Sequence, residues 1–539
     1  MKIEFVGAAR TVTGSSYIVK NDDFTVMIDC GMFQGNRELR ERNQLDLIYA
    51  PQEIDALLVT HAHIDHSGLI PKLVKEGFTG KIFATKATYD LLRIMLPDSA
   101  HIQEMDAEFV NRRNRKLGRP PVEPLYTEPD ALKSLEYIHP VKYGDDFEVT
   151  KGVRAVFRDA GHILGSSFIE LSVTENGKTK KIVFSGDLGP KDQAIIRNAE
   201  NFTGADYLLI ESTYGNRLHK SKPDTYEEFK QIIHDAYNRK GNIVIPSFAV
   251  ERTQEIIYTL AQLFRSGDIP KIPTYIDSPL AISATEIFRE NSECFDDDTR
   301  KILESGGSPL DFPNLHLTRT TAESKDLTKT ARGSIIISAS GMCTAGRIKY
   351  HLQSNLYKPD SSIVFVGYQA EGTLGRKLVD GAKVVRVYGE DVAVNAKIHT
   401  LGGFSGHADR DRLLEWMGTG DNPDMKVFVV HGEHESSENL ASLIREKYSF
   451  TTIVPTWGEI VDLDTFELSK AKYGEPLVEH TDLKEHGDAA IKEIETLMQE
   501  YISKYKKVSK ESPMVKSEEI KSNLDDLKQM ITMLKDEIS

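Results

Sequence analysis

The chain has 539 residues, more than one hydrophobic core usually carries, so two or more domains are expected. Its hydrophobic fraction of 40% supplies an ordinary globular core, and no apolar run reaches the roughly 18 residues of a membrane-spanning helix. A formal net charge of −15 repels polyanions at long range, so any nucleic-acid site has to rest on bound metal ions and local basic patches.

The opening stretch, MKIEFVGAARTVTGSS, goes straight into an apolar strand, with neither a basic n-region nor a signal-peptide hydrophobic region. Cys30, Cys294 and Cys343 lie far apart without C-x-x-C spacing, which predicts free thiols in a reducing cytoplasm. Short β-type runs at Lys2–Val6, Ser16–Val19 and Thr25–Ile28 lead to Asp29-Cys30-Gly31, an acidic residue at a strand end beside a glycine.

The apolar run Ala56–Val59 reads as a buried strand and empties into THAHIDHSG, with His61, His63, Asp65 and His66. Imidazole and carboxylate suit Zn²⁺. Their spacing on a strand-to-helix turn lets His61 and His63 face one metal and leaves Asp65 and His66 to face a second. A single histidine there would read as an ordinary loop residue; four ligand-type residues together do not.

Leu69–Glu76 reads as a helix closed by Gly77, and a second helical region runs from Ala87 to about residue 116. Its basic end carries Arg112, Arg113, Arg115, Lys116 and Arg119, equally suited to a solvated helix face or to phosphate contact. The strand Val153–Asp159 ends in AGHILGSS with His162, and Lys181–Ser185 ends in SGDLG with Asp187. The pattern repeats: strand, ligand-type residue, glycine. Such residues would project from one edge of a sheet scaffold, where rigid folds usually hold their chemistry.

Tyr207–Ile210 delivers Glu211, and then the texture changes. From about residue 213 to 395, helical and strand patterns alternate, which predicts a doubly wound parallel sheet inserted into the first domain. Within it, Ser340-Gly341 and Gly346-Arg347 offer either a phosphate cradle or a Gly-rich turn closing a βα unit. Histidine motifs resume at His399, at GGFSGHADRD with His407 and at VFVVHGEHE with His431. The expected division is 1–210, an insertion at 211–395, a return at 396–468 and a helical C-terminal extension at 469–539. In that extension Ile520, Leu524, Leu527, Ile531, Leu534 and Ile538 follow four-three spacing, suited to docking on the body, to a homodimer or to a protein partner.

Collected, these segments resemble the metallo-β-lactamase superfamily and, within it, the β-CASP nucleic-acid hydrolases. The resemblance covers residues 1 to about 468 and rests on THAHIDHSG, AGHILGSS, FSGDLG, IESTYGNR, FSGHAD and VVHGE. It implies an αββα metallo-β-lactamase sandwich with an inserted doubly wound α/β β-CASP domain, and two Zn²⁺ ions per chain. By the same resemblance, His61, His63 and His162 hold one zinc, Asp65, His66 and His431 the other, and Asp187 bridges them. Asp29 supports the ligands from behind. Glu211 and His407 pair near the scissile phosphate, His407 as general acid oriented by Glu211.

The DNA-directed branch typically has valine at the position of His431, so the resemblance favours single-stranded RNA. The implied activity is zinc-dependent hydrolysis of RNA by a two-metal hydroxide mechanism, endonucleolytic or 5′-to-3′ exonucleolytic, leaving a 5′-phosphate and a 3′-hydroxyl. It would serve RNA processing or decay. The alternatives are a hydrolase of a small thioester or lactone, a DNA nuclease and a non-catalytic RNA-binding scaffold.

Overall fold

The computed structural model describes residues 1–367, 369, 370 and 372–470. The expected C-terminal helices and their apolar seam lie outside the described residues; Leu468–Lys470, where that extension was expected to begin, is a strand. Two sheets carry the site. The first has eight strands in the order Leu468–Lys470, Glu459–Asp462, Lys2–Phe5, Tyr17–Lys20, Thr25–Ile28, Ala56–Leu58, Lys81–Thr85 and Ile138–Val141. The second has seven, in the order Thr451–Ile453, Lys426–Val430, Tyr207–Glu211, Lys178–Phe184, Ser167–Glu175, Val153–Asp159 and Asp146–Thr150.

Local sequence explains these strands. Ala56–Leu58 is buried on both faces because it runs parallel between Thr25–Ile28 and Lys81–Thr85, and it therefore reads as a continuous apolar run. Val153–Asp159 instead alternates, with Val153, Ala155 and Phe157 inward and Arg154 exposed. Between the sheets, Phe5, Ile28 and Leu58 meet Phe157, Phe184, Leu209 and Phe428 in one core, and the Phe5 and Phe428 ring centroids are 5.3 Å apart. Truncating either ring to alanine would cost about 3–5 kcal/mol.

Helices close both outer faces. Arg410–Met417 and His434–Tyr448 press Trp416, Leu440 and Ile444 onto the second sheet. Lys86–Leu117 lays Leu91, Leu92 and Leu96 against Leu57 and Ile82 of the first. That long helix begins where the Thr85 hydroxyl accepts from the Thr88 N–H, and it stops at Gly118, whose φ of 64° only glycine adopts without strain. The result is an αββα sandwich.

A third sheet holds six strands, in the order Leu315–Leu317, Thr274–Ile276, Ile335–Ser338, Ile243–Pro246, Ser362–Phe365 and Lys397–Thr400, every pair parallel. The chain enters near the middle at Ile243–Pro246, runs out to the Leu315–Leu317 edge, returns to place Ile335–Ser338 beside its first strand and then continues to the other edge. This brings the loops after Ile243–Pro246 and Ile335–Ser338 side by side at the carboxyl edge. The last strand lies beyond residue 395. Its Lys-Ile-His-Thr sequence is only partly buried and carries no apolar run, so pairing with Ser362–Phe365, not its own pattern, makes it a strand.

Candidate metal centre and active site

The ligand-type residues converge from loops far apart in sequence. His61, His63, Asp65 and His66 follow Ala56–Leu58, His162 follows Val153–Asp159, Asp187 follows Lys178–Phe184, and His431 follows Lys426–Val430. In one group, the His63 Nδ1 lies 3.1 Å from the His61 Nε2 and 3.2 Å from the His162 Nε2. Asp187 Oδ2 stands 3.5 Å from both of those Nε2 atoms. In the other, the Nε2 atoms of His66 and His431 are 3.1 Å apart, and Asp65 Oδ2 lies 3.7 Å from the His431 Nε2. Asp187 Oδ1 is 3.2 Å from the His66 Nε2. One carboxylate therefore turns an oxygen toward each group.

These spacings are those of a coordination shell. Ligands about 2.0–2.1 Å from a tetrahedral zinc stand about 3.3 Å from one another. Both Asp187 oxygens are buried and accept no hydrogen bond, a costly arrangement unless a cation meets them. Burial holds His61 and His162 well below the ordinary imidazole range and His63 at about 4, so all three rings favour the neutral form that metal ligation requires. Burial also disfavours charge on His66, yet Asp187 and Asp29 outweigh it and draw its pKa well upward. The pocket attracts positive charge. The donor set fits divalent metal.

Groups behind the candidate ligands orient four of the five imidazoles, those of His61, His66, His162 and His431. His66 Nδ1 donates to Asp29 Oδ2 at 2.7 Å, which leaves Nε2 as the lone pair facing the metal position. Asp29 also accepts from the Thr60 N–H at 2.7 Å and the Thr60 hydroxyl at 2.9 Å, and that hydroxyl faces the His61 Nδ1 at 3.1 Å. His162 Nδ1 donates to the Gly406 carbonyl at 2.6 Å, and the His431 Nδ1 is paired with the Thr213 hydroxyl at 3.1 Å. Asp29 and His431 both hold positive φ, 59° and 48°, conformations that non-glycine residues adopt rarely and mostly under functional constraint.

His407 stands at the rim of the cluster, with Glu211 buried behind it. Glu211 Oε1 accepts from the Leu188 N–H at 2.6 Å, and Oε2 lies 3.3 Å from the His407 Nδ1. His407 Nδ1 is also 3.8 Å from Asp187 Oδ2, and the His407 side chain keeps 23% of its surface in solvent where Asp187 keeps 1%. Burial would lower its pKa, but Glu211 and Asp187 raise it to about 9. His219 donates to the His407 carbonyl at 2.9 Å and so holds this loop.

The Ser340–Arg347 loop lies elsewhere, at the carboxyl edge of the third sheet. The Ser340 hydroxyl accepts from the Thr344 and Ala345 N–H groups. Gly341 lies against the Phe248 ring, where a Cβ would come within 2.9 Å. The Arg347 guanidinium donates to Asp277 at 2.7 Å and to the carbonyls of Thr318 and Arg319, bonds that tie it into its own sheet.

Two contributors escaped the sequence. Glu251, from the inserted unit, accepts from the Leu164 N–H through Oε2 at 3.1 Å. Gln193 bridges the His162 carbonyl and Glu251 Oε1, both at 3.1 Å. Together they brace the loop that carries His162. In sequence, AVERTQE reads as an ordinary helix start; the φ of 67° that turns Glu251 toward the neighbouring unit leaves no local signal.

The fold and this cluster define a metallo-β-lactamase-type metal-dependent hydrolase, and known proteins agree. Residues 9–205 match the metallo-beta-lactamase superfamily, 253–378 the Beta-Casp domain, and 391–455 the Zn-dependent metallo-hydrolase RNA specificity domain. The chain is 36% identical over 445 residues to Ribonuclease TTHA0252 of Thermus thermophilus, covering 82% of this chain and 96% of that protein. It is 31% identical to the transcription termination factor FttA of Thermococcus kodakarensis, over 84% of this chain and 70% of that one. The FttA of Methanosarcina mazei is 28% identical over 86% and 72% respectively. The chain belongs to the β-CASP ribonuclease family of the metallo-β-lactamase superfamily.

Proposed function

We propose that this protein hydrolyses phosphodiester bonds of single-stranded RNA with two zinc ions, in RNA processing or decay, and leaves a 5′-phosphate and a 3′-hydroxyl. The observation that carries the reading is Asp187, whose two unpartnered buried oxygens face two separate groups of imidazole and carboxylate donors. His61, His63 and His162 would hold one ion, Asp65, His66 and His431 the other, with Asp187 between them. Bound there, zinc supplies an acidified water and Lewis-acid stabilisation of phosphate oxygens.

The chain's own groups do the rest. Asp29 and Thr60 orient His66 and His61, and the Gly406 carbonyl orients His162. His407 donates a proton to the departing 3′ oxygen, with Glu211 holding its Nδ1 side and leaving the opposite edge of the ring for substrate. Ser340 and Gly341 remain candidates for phosphate contact through hydroxyl and backbone N–H. Arg347, bonded to Asp277 and two carbonyls, serves better as a brace for that loop than as a direct phosphate ligand.

The inserted unit, joined through Glu251 to the loop that carries His162, favours a polymer over a small thioester or lactone. His431 and the names of the relatives favour RNA over DNA. Digestion of 5′-labelled and internally labelled single-stranded RNA, with and without chelator, tests the reading. Chelator-sensitive cleavage supports it, and the first products separate internal cutting from 5′-to-3′ progression. Turnover of thioesters without RNA cleavage would overturn it.

A further inference from the structure

The carboxyl edge of the inserted sheet carries an aromatic feature that the hydrolytic chemistry does not use. The rings of Tyr350 and Tyr388 stack with centroids 4.6 Å apart and planes inclined by 29°. Both residues stay about half exposed, at 50% and 47%. Lys349 sets its ammonium 4.7 Å from the Tyr388 ring centroid.

Tyr388 turns the two-stranded hairpin Val384–Val387 and Glu390–Ala393, with φ of 51° followed by 85° at Gly389. Asparagine or glycine adopts that first turn position more readily than a bulky aromatic residue. The tyrosine is held there against its backbone preference, and its side chain is not used to fill a core.

Neighbouring segments lead from the loop that carries His162 toward the pair. Glu251 touches the His162 loop, and Phe248, three residues earlier, lies 41% exposed against Gly341. Gly341 opens the loop that runs to Gly346, whose carbonyl meets the Tyr388 hydroxyl at 3.5 Å. This edge lies outside the carboxyl ends of parallel strands wound in both directions, where open α/β sheets take their ligands.

We infer that Tyr350, Tyr388 and Lys349 form a stacking subsite for an unpaired base of single-stranded RNA, beyond the metal centre. The inference rests on the ribonuclease reading above. Stacking suits a strand of any sequence because every base presents a π-face, and Lys349 supplies local positive charge for the adjoining phosphate in a chain of net charge −15.

The test compares the full-length wild type with Y350A/Y388A and Y350F/Y388F on a labelled RNA of about twenty nucleotides and on a dinucleotide. For the long substrate, the alanine pair should raise KM about tenfold with kcat and zinc content unchanged. The phenylalanine pair, which keeps both rings, should match wild type, and dinucleotide kinetics should not move. An unchanged KM in the alanine pair overturns the subsite, as does an equal loss on both substrates. A change in sedimentation between wild type and the alanine pair would mark the patch as a protein interface and overturn it too. Wild type that cleaves neither RNA removes the ribonuclease reading and the subsite with it; wild type that cleaves while the alanine pair is unaffected removes the subsite alone.

Discussion

Asp187 and His407 approach within 3.8 Å of each other but answer to different demands. Asp187 is sealed from solvent among imidazoles, and nothing but a cation satisfies both of its oxygens. Asp187→Ala should therefore lose metal and RNA cleavage together, as read by elemental analysis and a gel assay; full activity in that variant would exclude the bridging role. His407 faces Glu211 and solvent, so His407→Ala should keep the metal content of wild type while cleavage falls about 10²–10⁴-fold. Loss of an ion from that variant would show that His407 is itself a ligand. Asp29 works one step further back: Asp29→Asn should weaken metal affinity about 10–100-fold, measured by competition with a chromophoric chelator, because the His66 tautomer is no longer fixed.

At the scale of elements, the loop after Val153–Asp159 depends on a residue from the inserted unit. Glu251 is buried against the Leu164 N–H and Gln193, with Glu255 and Arg252 the charged groups beside it. Burial, reinforced by Glu255 and opposed by Arg252, raises its pKa from 4.5 to about 8. Its folded form thus keeps a proton that the unfolded chain has released. Stability from this group is full below about pH 4.5 and declines as pH rises toward 8, by at most about 1.4 kcal/mol per pH unit. Glu251→Gln should flatten that part of the pH profile in chemical denaturation. A profile that stays as steep would show that another group produces it.

Across the whole molecule, the centre draws on both sheets of the sandwich, on strand ends from Asp29 to His431. Metal bound by so dispersed a set binds the folded chain and not the unfolded one, and free metal at a thousandfold over Kd stabilises by about 4 kcal/mol. Chelation should accordingly lower Tm by several degrees in wild type and in His407→Ala, but hardly at all in Asp187→Ala. Equal shifts in all three, read by calorimetry, would mean that the chelator acts elsewhere. Among the described residues no helix is long and apolar enough to cross a membrane.

The candidate donors His61, His63, Asp65 and His66 stand out in the sequence because they share one turn, and a buried strand before them leaves a plain apolar signature. The long helix Lys86–Leu117 was legible for a similar reason, since an apolar face repeats along it. What the sequence could not determine by itself depends on partners distant in the chain. Lys397–Thr400 is a strand only because Ser362–Phe365 lies beside it. Arg347 looked free for a phosphate until Asp277, seventy residues away, took its guanidinium. Glu251 reached the His162 loop through a backbone conformation that no periodicity encodes. Residue type and spacing fixed which atoms can bind a cation; only tertiary packing decided which of them face one another, because hydrogen bonds and burial act across space and leave no trace in the order of the chain.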